Sequence, residues 1–179
     1  MKRGGIFSAF CIAALMLAPR VAGAPSAESL EYAVKATFLY KFAGFVEWPA
    51  ASFETATSPV TLCVLGNDPV ASLIDQAAAG RQMGERPIAV RHLQMFERNS
   101  ACHILYVPGN MPDSINAAHG TPVLTVTDSA PIGASGSIVT FVVQDNRVRF
   151  DIDDAAAAQN NLAISSKLLS LARVVRPRT

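Results

Sequence analysis

The chain has 179 residues, and its fifteen lysines and arginines nearly balance fourteen aspartates and glutamates. So small a net charge excludes the broad basic surface that nucleic-acid-binding proteins present to a phosphate backbone. Half of the residues are hydrophobic, which is enough for one domain with a substantial core.

The first two dozen residues have the layout of a secretory signal peptide. After a positively charged start, an apolar run covers 6–17 and small residues follow at 21–24. The apolar run is too short to span a bilayer, so we expect cleavage and export to the periplasm. Cleavage after Gly23 is favoured over cleavage after Ala24, because the second would leave Pro25 at the new N-terminus.

We therefore divide the chain into a signal peptide, residues 1–23, and one mature α/β domain, residues 24–179. Without the leader, twelve basic residues face fourteen acidic ones, so the mature charge is near −2. No second apolar run approaches the length of a membrane span. We expect the mature domain to be a soluble periplasmic protein without a nucleic-acid partner.

Residues 31–49 predict the longest helix of the mature domain, and they contain its single tryptophan, Trp48. Apolar side chains recur at steps of three and four, as on one face of a helix. They are Val34, Phe38, Leu39, Phe42, Phe45 and Val46. Glu31 and Lys35 are spaced for an ion pair, and Pro49 ends the helix. We interpret the three phenylalanines as core and Trp48 as facing a groove or a partner.

Behind this helix, strand-like and helix-like segments alternate along the chain. Apolar strands that flank a helix make a strand–helix–strand unit with parallel strands. We predict a single layered α/β domain with about six strands, mostly parallel, a C-terminal antiparallel hairpin and flanking helices. The predicted strands are 60–65, 87–93, 103–107, 122–126, 137–143 and 147–152. The later helices are predicted between Asp68 and Gly80, at 112–118, in the alanine run after Asp153 or Asp154, and at 164–175.

The last predicted helix, 164–175, is a candidate surface for a partner. Its apolar stripe consists of Ile164, Leu168, Leu171 and Val175. Side chains that we place off this stripe, and expect to contact a partner, include Lys167, Leu169 and Arg173. The alternative is an ordinary solvated helix face.

Two cysteines remain once Cys11 leaves with the leader. An even pair, Cys63 and Cys102, in an exported protein predicts a disulfide. Cys63 lies in the first predicted strand and Cys102 just before the third, so neighbouring strands would bring them within bridging distance. Two buried free thiols are the alternative.

The sequence has no recognisable catalytic or metal-binding motif. The three histidines lack the spacing of metal ligands, and no nucleophile elbow is present. We interpret His92 and His103 as structural. We predict no enzyme activity, no metal and no cofactor.

Charged residues cluster around the last predicted strand. Asp151, Asp153 and Asp154 are explained by a strand end followed by a helix cap, although they also suit a cation. Arg147 and Arg149 share one face of the strand by their period of two. They either pair with these aspartates or anchor an anionic ligand near the strand ends.

Six segments in order resemble the YfiR family of periplasmic proteins, over almost all of the mature chain. They are AVKATFLYKFAGFVEWP, LCVLGNDP, RPIAVRHL, CHILYV, PVLTV and RVRFDIDDAAAAQNNLAISSKLLSLARVV. The resemblance implies an α/β domain, commonly a dimer, with a disulfide at Cys63 and Cys102. Some members have a second cysteine pair nearer the hairpin, which this sequence lacks.

The resemblance also implies a regulatory function. The best-known member represses a membrane-bound diguanylate cyclase by holding its periplasmic sensor domain, which lowers cyclic di-GMP and biofilm formation. A lipoprotein of the outer membrane relieves this repression by sequestering the repressor. Our first hypothesis is therefore a non-enzymatic periplasmic regulator of this kind. The alternatives are a small-ligand-binding sensor module that acts with a membrane sensor kinase, and an enzyme.

Overall fold

The computed structural model describes residues 26–109, 111–128 and 136–178. The predicted signal peptide, 1–23, and its cleavage point lie outside these residues, as does most of the loop predicted between the fourth strand and the hairpin.

The described residues form five α-helices and ten strands. The helices are α1 (Ala27–Phe42), α2 (Pro69–Ala78), α3 (Pro112–Ala118), α4 (Asp154–Gln159) and α5 (Ser166–Leu169). The strands are β1 (Val46–Glu47), β2 (Val60–Leu65), β3 (Gln82–Met83), β4 (Arg86–Leu93), β5 (Ile104–Val107), β6 (Leu124–Thr127), β7 (Val139–Gln144), β8 (Arg147–Asp153), β9 (Ala163–Ile164) and β10 (Val175–Arg176).

Eight strands form one sheet in the order β10-β8-β7-β6-β5-β2-β4-β3. The run from β4 to β7 is parallel, while β8 pairs with β7 and β3 with β4 in antiparallel fashion. β1 and β9 form a separate antiparallel pair. The predicted α/β class, the mostly parallel sheet and the antiparallel hairpin are confirmed. The strands exceed the predicted number because two-residue strands carry no periodicity to detect.

The central strands are buried because helices cover both faces of the sheet. Every residue of β2 is buried. Leu62 and Val64 belong to a core shared with α1 and α2, whereas Cys63 and Leu65 belong to a second core that includes Ile115 of α3. The unbroken apolar run of β2 therefore reflects two cores, one on each side.

The first helix ends earlier than the sequence predicted. Ser26 caps α1 by accepting a hydrogen bond from the Ser29 amide at 3.1 Å, and α1 stops at Phe42. The chain then tightens into a 3-10 turn through Gly44 and is extended at Val46. The prediction of one helix up to Pro49 was wrong, because pairing of β1 with the distant β9 overrides the helical pattern.

Aromatic packing joins α1 to the hairpin. Phe42 is buried, and Phe38 is half-buried beside it. Their rings lie 5.3–6.2 Å from those of Phe141 and Phe150, centroid to centroid. Phe42 is thus core as predicted, and Phe38 lies at the margin. Phe45 is also half-buried, packed against the same core.

The helix predicted at 164–175 was wrong as well. α5 covers one turn, capped by the Ser165 side chain, which accepts from the Leu168 amide. Before it lies β9, and after it β10 pairs with β8 in parallel. The Arg173 amide donates to the Phe150 carbonyl at 2.9 Å. Sheet hydrogen bonds therefore replace helical ones at the C-terminus.

The predicted disulfide joins Cys63 in β2 to Cys102 just before β5. The two strands are neighbours in the sheet, as expected. Both cysteines are buried on the α3 face. The bridge therefore lies on the face of the sheet opposite the aromatic cluster of α1 and the hairpin.

Candidate functional site at the hairpin tip

A two-residue turn forms the tip of the β7–β8 hairpin. Asp145 and Asn146 have φ of 50° and 59°, the left-handed conformation that such turns require and that these residue types tolerate. The turn sets Gln144 opposite Arg147. Because β7 runs parallel to β6, the tip lies at the edge where the parallel strands end. In open α/β sheets, ligands bind outside this edge.

An apolar groove of about 490 Å³ lies between the start of α1 and the hairpin tip. We call it the tip groove. Its lining residues are Ala27, Glu28, Leu30, Glu31, Val34, Phe38, Val143, Asn146, Arg147 and Val148. The walls come from two elements that are far apart in sequence.

The tip groove concentrates exposed apolar side chains. Leu30, Val34 and Val143 are 53%, 41% and 49% exposed. Among the described residues, they are three of the six large hydrophobic side chains that are exposed. Grouped apolar exposure of this kind marks binding surfaces more often than single exposed residues do.

A second, polar pocket of about 270 Å³ lies next to the tip groove. We call it the arginine pocket. It is lined by Gln144, Asp145, Arg147, Arg149, Leu171, Ala172 and Arg173. Arg147 lines both cavities. Three of the residues predicted for binding, Arg147, Arg149 and Arg173, thus meet in one place.

The three arginines differ in their partners. Arg173 binds the Asp151 carboxylate through two hydrogen bonds of 2.9 and 2.5 Å. The hydrogen bonds and the charge of Asp151 raise the pKa of Arg173. Neither Arg147 nor Arg149 makes a side-chain hydrogen bond or ion pair within the described parts of the chain.

Three buried aspartates at the base of the hairpin form ion pairs with arginines of the C-terminal segment. These pairs are Asp151 with Arg173, Asp153 with Arg176 and Asp154 with Arg178. The idea that Arg147 or Arg149 pairs with these aspartates was therefore wrong, since other arginines already hold them.

The cap assigned to the aspartates is confirmed. Asp153 also accepts from the Ala156 amide at 2.9 Å at the start of α4. No cluster of three potential metal ligands occurs in the described ranges.

The remaining predicted contact residues lie elsewhere. Trp48 is half-buried, and its Nε1 donates to the His103 carbonyl at 3.3 Å. Lys167 is exposed, with Nζ 6.0 Å from the centre of the Phe45 ring, and Leu169 packs against the core. The structure therefore does not bring Trp48, Lys167 and Leu169 to the arginine pocket, and their role in binding stays a prediction.

His103 fits the structural role that was predicted for it. Its Nδ1 accepts from the Thr61 amide at 3.0 Å, and its Nε2 donates to the Ser52 carbonyl at 2.9 Å. Burial lowers the pKa of His103, and the nearby charge of Arg86 acts in the same direction, whereas the bond to Ser52 opposes both. The ring is thus neutral near pH 7.

A closed polar network at the same sheet edge was missed from the sequence. Lys35 pairs with Glu31 at 2.7 Å, as predicted, and also with Asp128 at 3.2 Å. Burial opposes the charge of Lys35, but bonds and charges from both carboxylates raise its pKa. Tyr106 donates to Asp128 at 3.0 Å, and burial raises the pKa of Tyr106. The available signal was the position of Asp128 directly after the buried strand β6.

A family model described as YfiR/HmsC-like matches residues 32–173. The chain belongs to the YfiR/HmsC-like family. This family is periplasmic, and it is regulatory rather than catalytic. No curated protein matches the chain. Within the described ranges, no helix has the length and apolar character needed to cross a membrane.

The YfiR/HmsC-like match covers most of the candidate site. It includes the whole hairpin, Arg173, and Val34 and Phe38 of α1. The first groove-lining residues of α1 precede the matched range. The surface formed by the tip groove and the arginine pocket is thus built mainly from the part of the chain that defines the family.

Proposed function

We propose that this YfiR/HmsC-like protein binds the periplasmic sensor domain of a membrane diguanylate cyclase and represses it without chemistry of its own. Lower cyclic di-GMP and less biofilm would follow. The observation that carries the proposal is the family match over residues 32–173. The hairpin tip supports it, because exposed apolar side chains lie there beside two arginines that have no side-chain partner among the described residues.

The hairpin tip suggests how the partner is recognised. Apolar groups of the sensor domain fill the tip groove, and acidic groups pair with Arg147 and Arg149. Arginine binds carboxylates through two parallel hydrogen bonds, which fixes orientation as well as adding energy. Opposite charges also speed up the encounter of two proteins.

Repression requires the regulator to prefer one conformation of the sensor domain. Binding shifts a two-state equilibrium only by the difference in affinity for the two states. A shift from 1:99 to 99:1 takes a difference of about 10⁴-fold. The regulator must therefore bind the inactive sensor conformation far more tightly than the active one.

The proposal places the mature chain, residues 24–179, in the periplasm after removal of the signal peptide, residues 1–23. The bond between Cys63 and Cys102 agrees with an oxidising compartment. We further propose a homodimer, and an outer-membrane lipoprotein that relieves repression by sequestering the regulator.

A gene deletion tests the regulatory proposal. Cyclic di-GMP is measured in the wild-type strain, in the deletion strain and after restoring the gene. We expect the deletion to raise cyclic di-GMP and the restored gene to lower it again. An unchanged level, with every cyclase of the strain present, would contradict repression of a cyclase.

The tip groove also favours a second candidate, a small-ligand-binding sensor module that acts with a membrane sensor kinase. Its volume of about 490 Å³ lies within the range of about 300–1,000 Å³ typical of small-molecule sites. A thermal-shift screen of periplasmic metabolites tests this candidate, and the absence of any stabilising compound would count against it.

A further inference from the structure

The lining of the tip groove narrows the kind of ligand that it accepts. Leu30 and Val34 of α1 belong to its lining together with Val143 of β7. Phe38, also in the lining, is fixed by the aromatic cluster, where its ring lies 5.5 Å from that of Phe150. One lining side chain is held in place by packing and the others are exposed and apolar, so the groove suits the apolar part of a ligand better than a hydrated polar group.

The charges in the lining differ in whether they are already paired. Glu28 accepts a hydrogen bond from the Tyr32 hydroxyl at 2.7 Å, and Glu31 pairs with Lys35 at 2.7 Å. Arg147 has no side-chain partner among the residues that the structure describes. Glu28 keeps its charge, because a tyrosine hydroxyl is neutral, and Arg147 is the lining cation that is available to pair with an anionic group of a ligand.

The position of Arg147 gives the ligand a direction. Arg147 also lines the arginine pocket, where Arg149 adds a second unpaired cation. Positive charge thus continues beyond the hairpin side of the groove, while the apolar lining extends along α1. A ligand with one charged head and one apolar body fits this asymmetry.

We propose that the tip groove binds a free amphiphilic carboxylate, a molecule with an apolar chain or ring and one anionic head that pairs with Arg147. One unpaired arginine in the groove matches one negative charge, and the guanidinium fork matches a carboxylate. The proposal holds under either candidate function, because it rests on the groove alone. The sensor domain of a cyclase would then compete with this ligand for the same surface.

Binding of decanoate tests the proposal. Isothermal titration of the mature protein is carried out below the concentration at which the probe forms micelles, and decyltrimethylammonium serves as the cationic counterpart of equal chain length. We expect one decanoate per chain, and binding of the cation weaker by about tenfold or more, because a charge-assisted hydrogen bond is lost.

Three substitutions test the position of the site. Val34→Asp is expected to abolish decanoate binding, whereas Val174→Asp is expected to leave it unchanged. The two valines are equally exposed, at 41% each, but Val174 lies outside the groove lining. Arg147→Gln is expected to weaken decanoate by about tenfold or more and to leave the cation unaffected. Melting temperatures of all variants check that they fold.

Three results would overturn the proposal. They are equal affinity for the anion and the cation, unchanged binding by the folded Val34→Asp variant, and no decanoate binding at all. If decanoate does not bind while Val34→Asp weakens binding of a cyclase sensor domain, the groove belongs to a protein partner instead. The regulatory proposal would survive that result, since its test is the cyclic di-GMP level of the deletion strain.

Discussion

The base and the tip of the β7–β8 hairpin both carry charged and apolar residues, but these residues are paired or buried at the base and exposed at the tip. At the base, three buried aspartates are each held by an arginine of the C-terminal segment. At the tip, Arg147 and Arg149 have no side-chain partner within the described ranges. The same contrast holds for apolar residues, since Phe150 is buried and Val143 is 49% exposed.

This difference separates stability from binding within one element. A buried carboxylate without its cation is strongly unfavourable. The three ion pairs at the base of the hairpin must therefore stay intact in the folded state. Exposed arginines without partners add little to folding, but they are common among the residues that dominate protein interfaces. We infer that the base holds the hairpin in place and that the tip is available for recognition.

The largest difference in stability is expected when one apolar side chain is truncated at the base of the hairpin and another at its tip. Phe150→Ala should lower the free energy of unfolding by about 3–5 kcal/mol, because it leaves a cavity under α1. Val143→Ala should change it by about 0.5 kcal/mol or less, as is usual at the surface. Chemical denaturation of both variants measures the difference. Equal losses would remove the distinction between base and tip.

A smaller difference in stability is expected between substitutions of an arginine at the base and of an arginine at the tip. Arg173→Met should lower the melting temperature, because it leaves the buried Asp151 carboxylate without its cation. Arg147→Met is the matched control, and it should leave the melting temperature almost unchanged, since no ion pair is lost. Scanning calorimetry of both variants gives the answer. A lower melting temperature for Arg147→Met would reveal a structural role for the tip.

The smallest effect is expected from pH, and it should originate far from the tip. Burial lowers the pKa of His103 in the folded state, whereas the unfolded chain binds a proton with a pKa of about 6.5. The unfolded state therefore takes up more protons between these two values, and stability falls as the pH drops below about 6.5.

A glutamine at position 103 cannot titrate and serves as the control for this pH effect. Melting temperatures from pH 7.5 to 5 should fall less steeply in His103→Gln than in the wild type. If both proteins show the same slope, another group causes the acid sensitivity.

Elements with strong local patterns were predictable from the sequence. The apolar run 60–65 predicted the doubly buried β2, and the two runs around 144–146 predicted the hairpin. Asp153 was recognised as a possible cap from its place before the alanine run. In each case the signal lies within a few consecutive residues.

Features decided by contacts between distant segments were not predictable. The helical pattern of α1 continues past Phe42, but pairing with β9 makes Val46 extended. The C-terminal stripe looked helical, yet the buried aspartates and the edge of β8 hold this segment extended. The tip groove forms only when α1 meets the hairpin, so its lining could not be read from either segment alone.

We propose that this YfiR/HmsC-like protein represses a cyclase through its hairpin tip. The most direct test restores the deleted gene with Arg147→Glu and Arg149→Glu combined, and measures cyclic di-GMP. The matched control combines Lys41→Glu with Arg98→Glu, which changes the net charge equally at exposed positions away from the tip. We predict that the control restores a low level and that the tip variant, at equal abundance, does not. Full repression by the tip variant would show that the hairpin tip is not needed for repression.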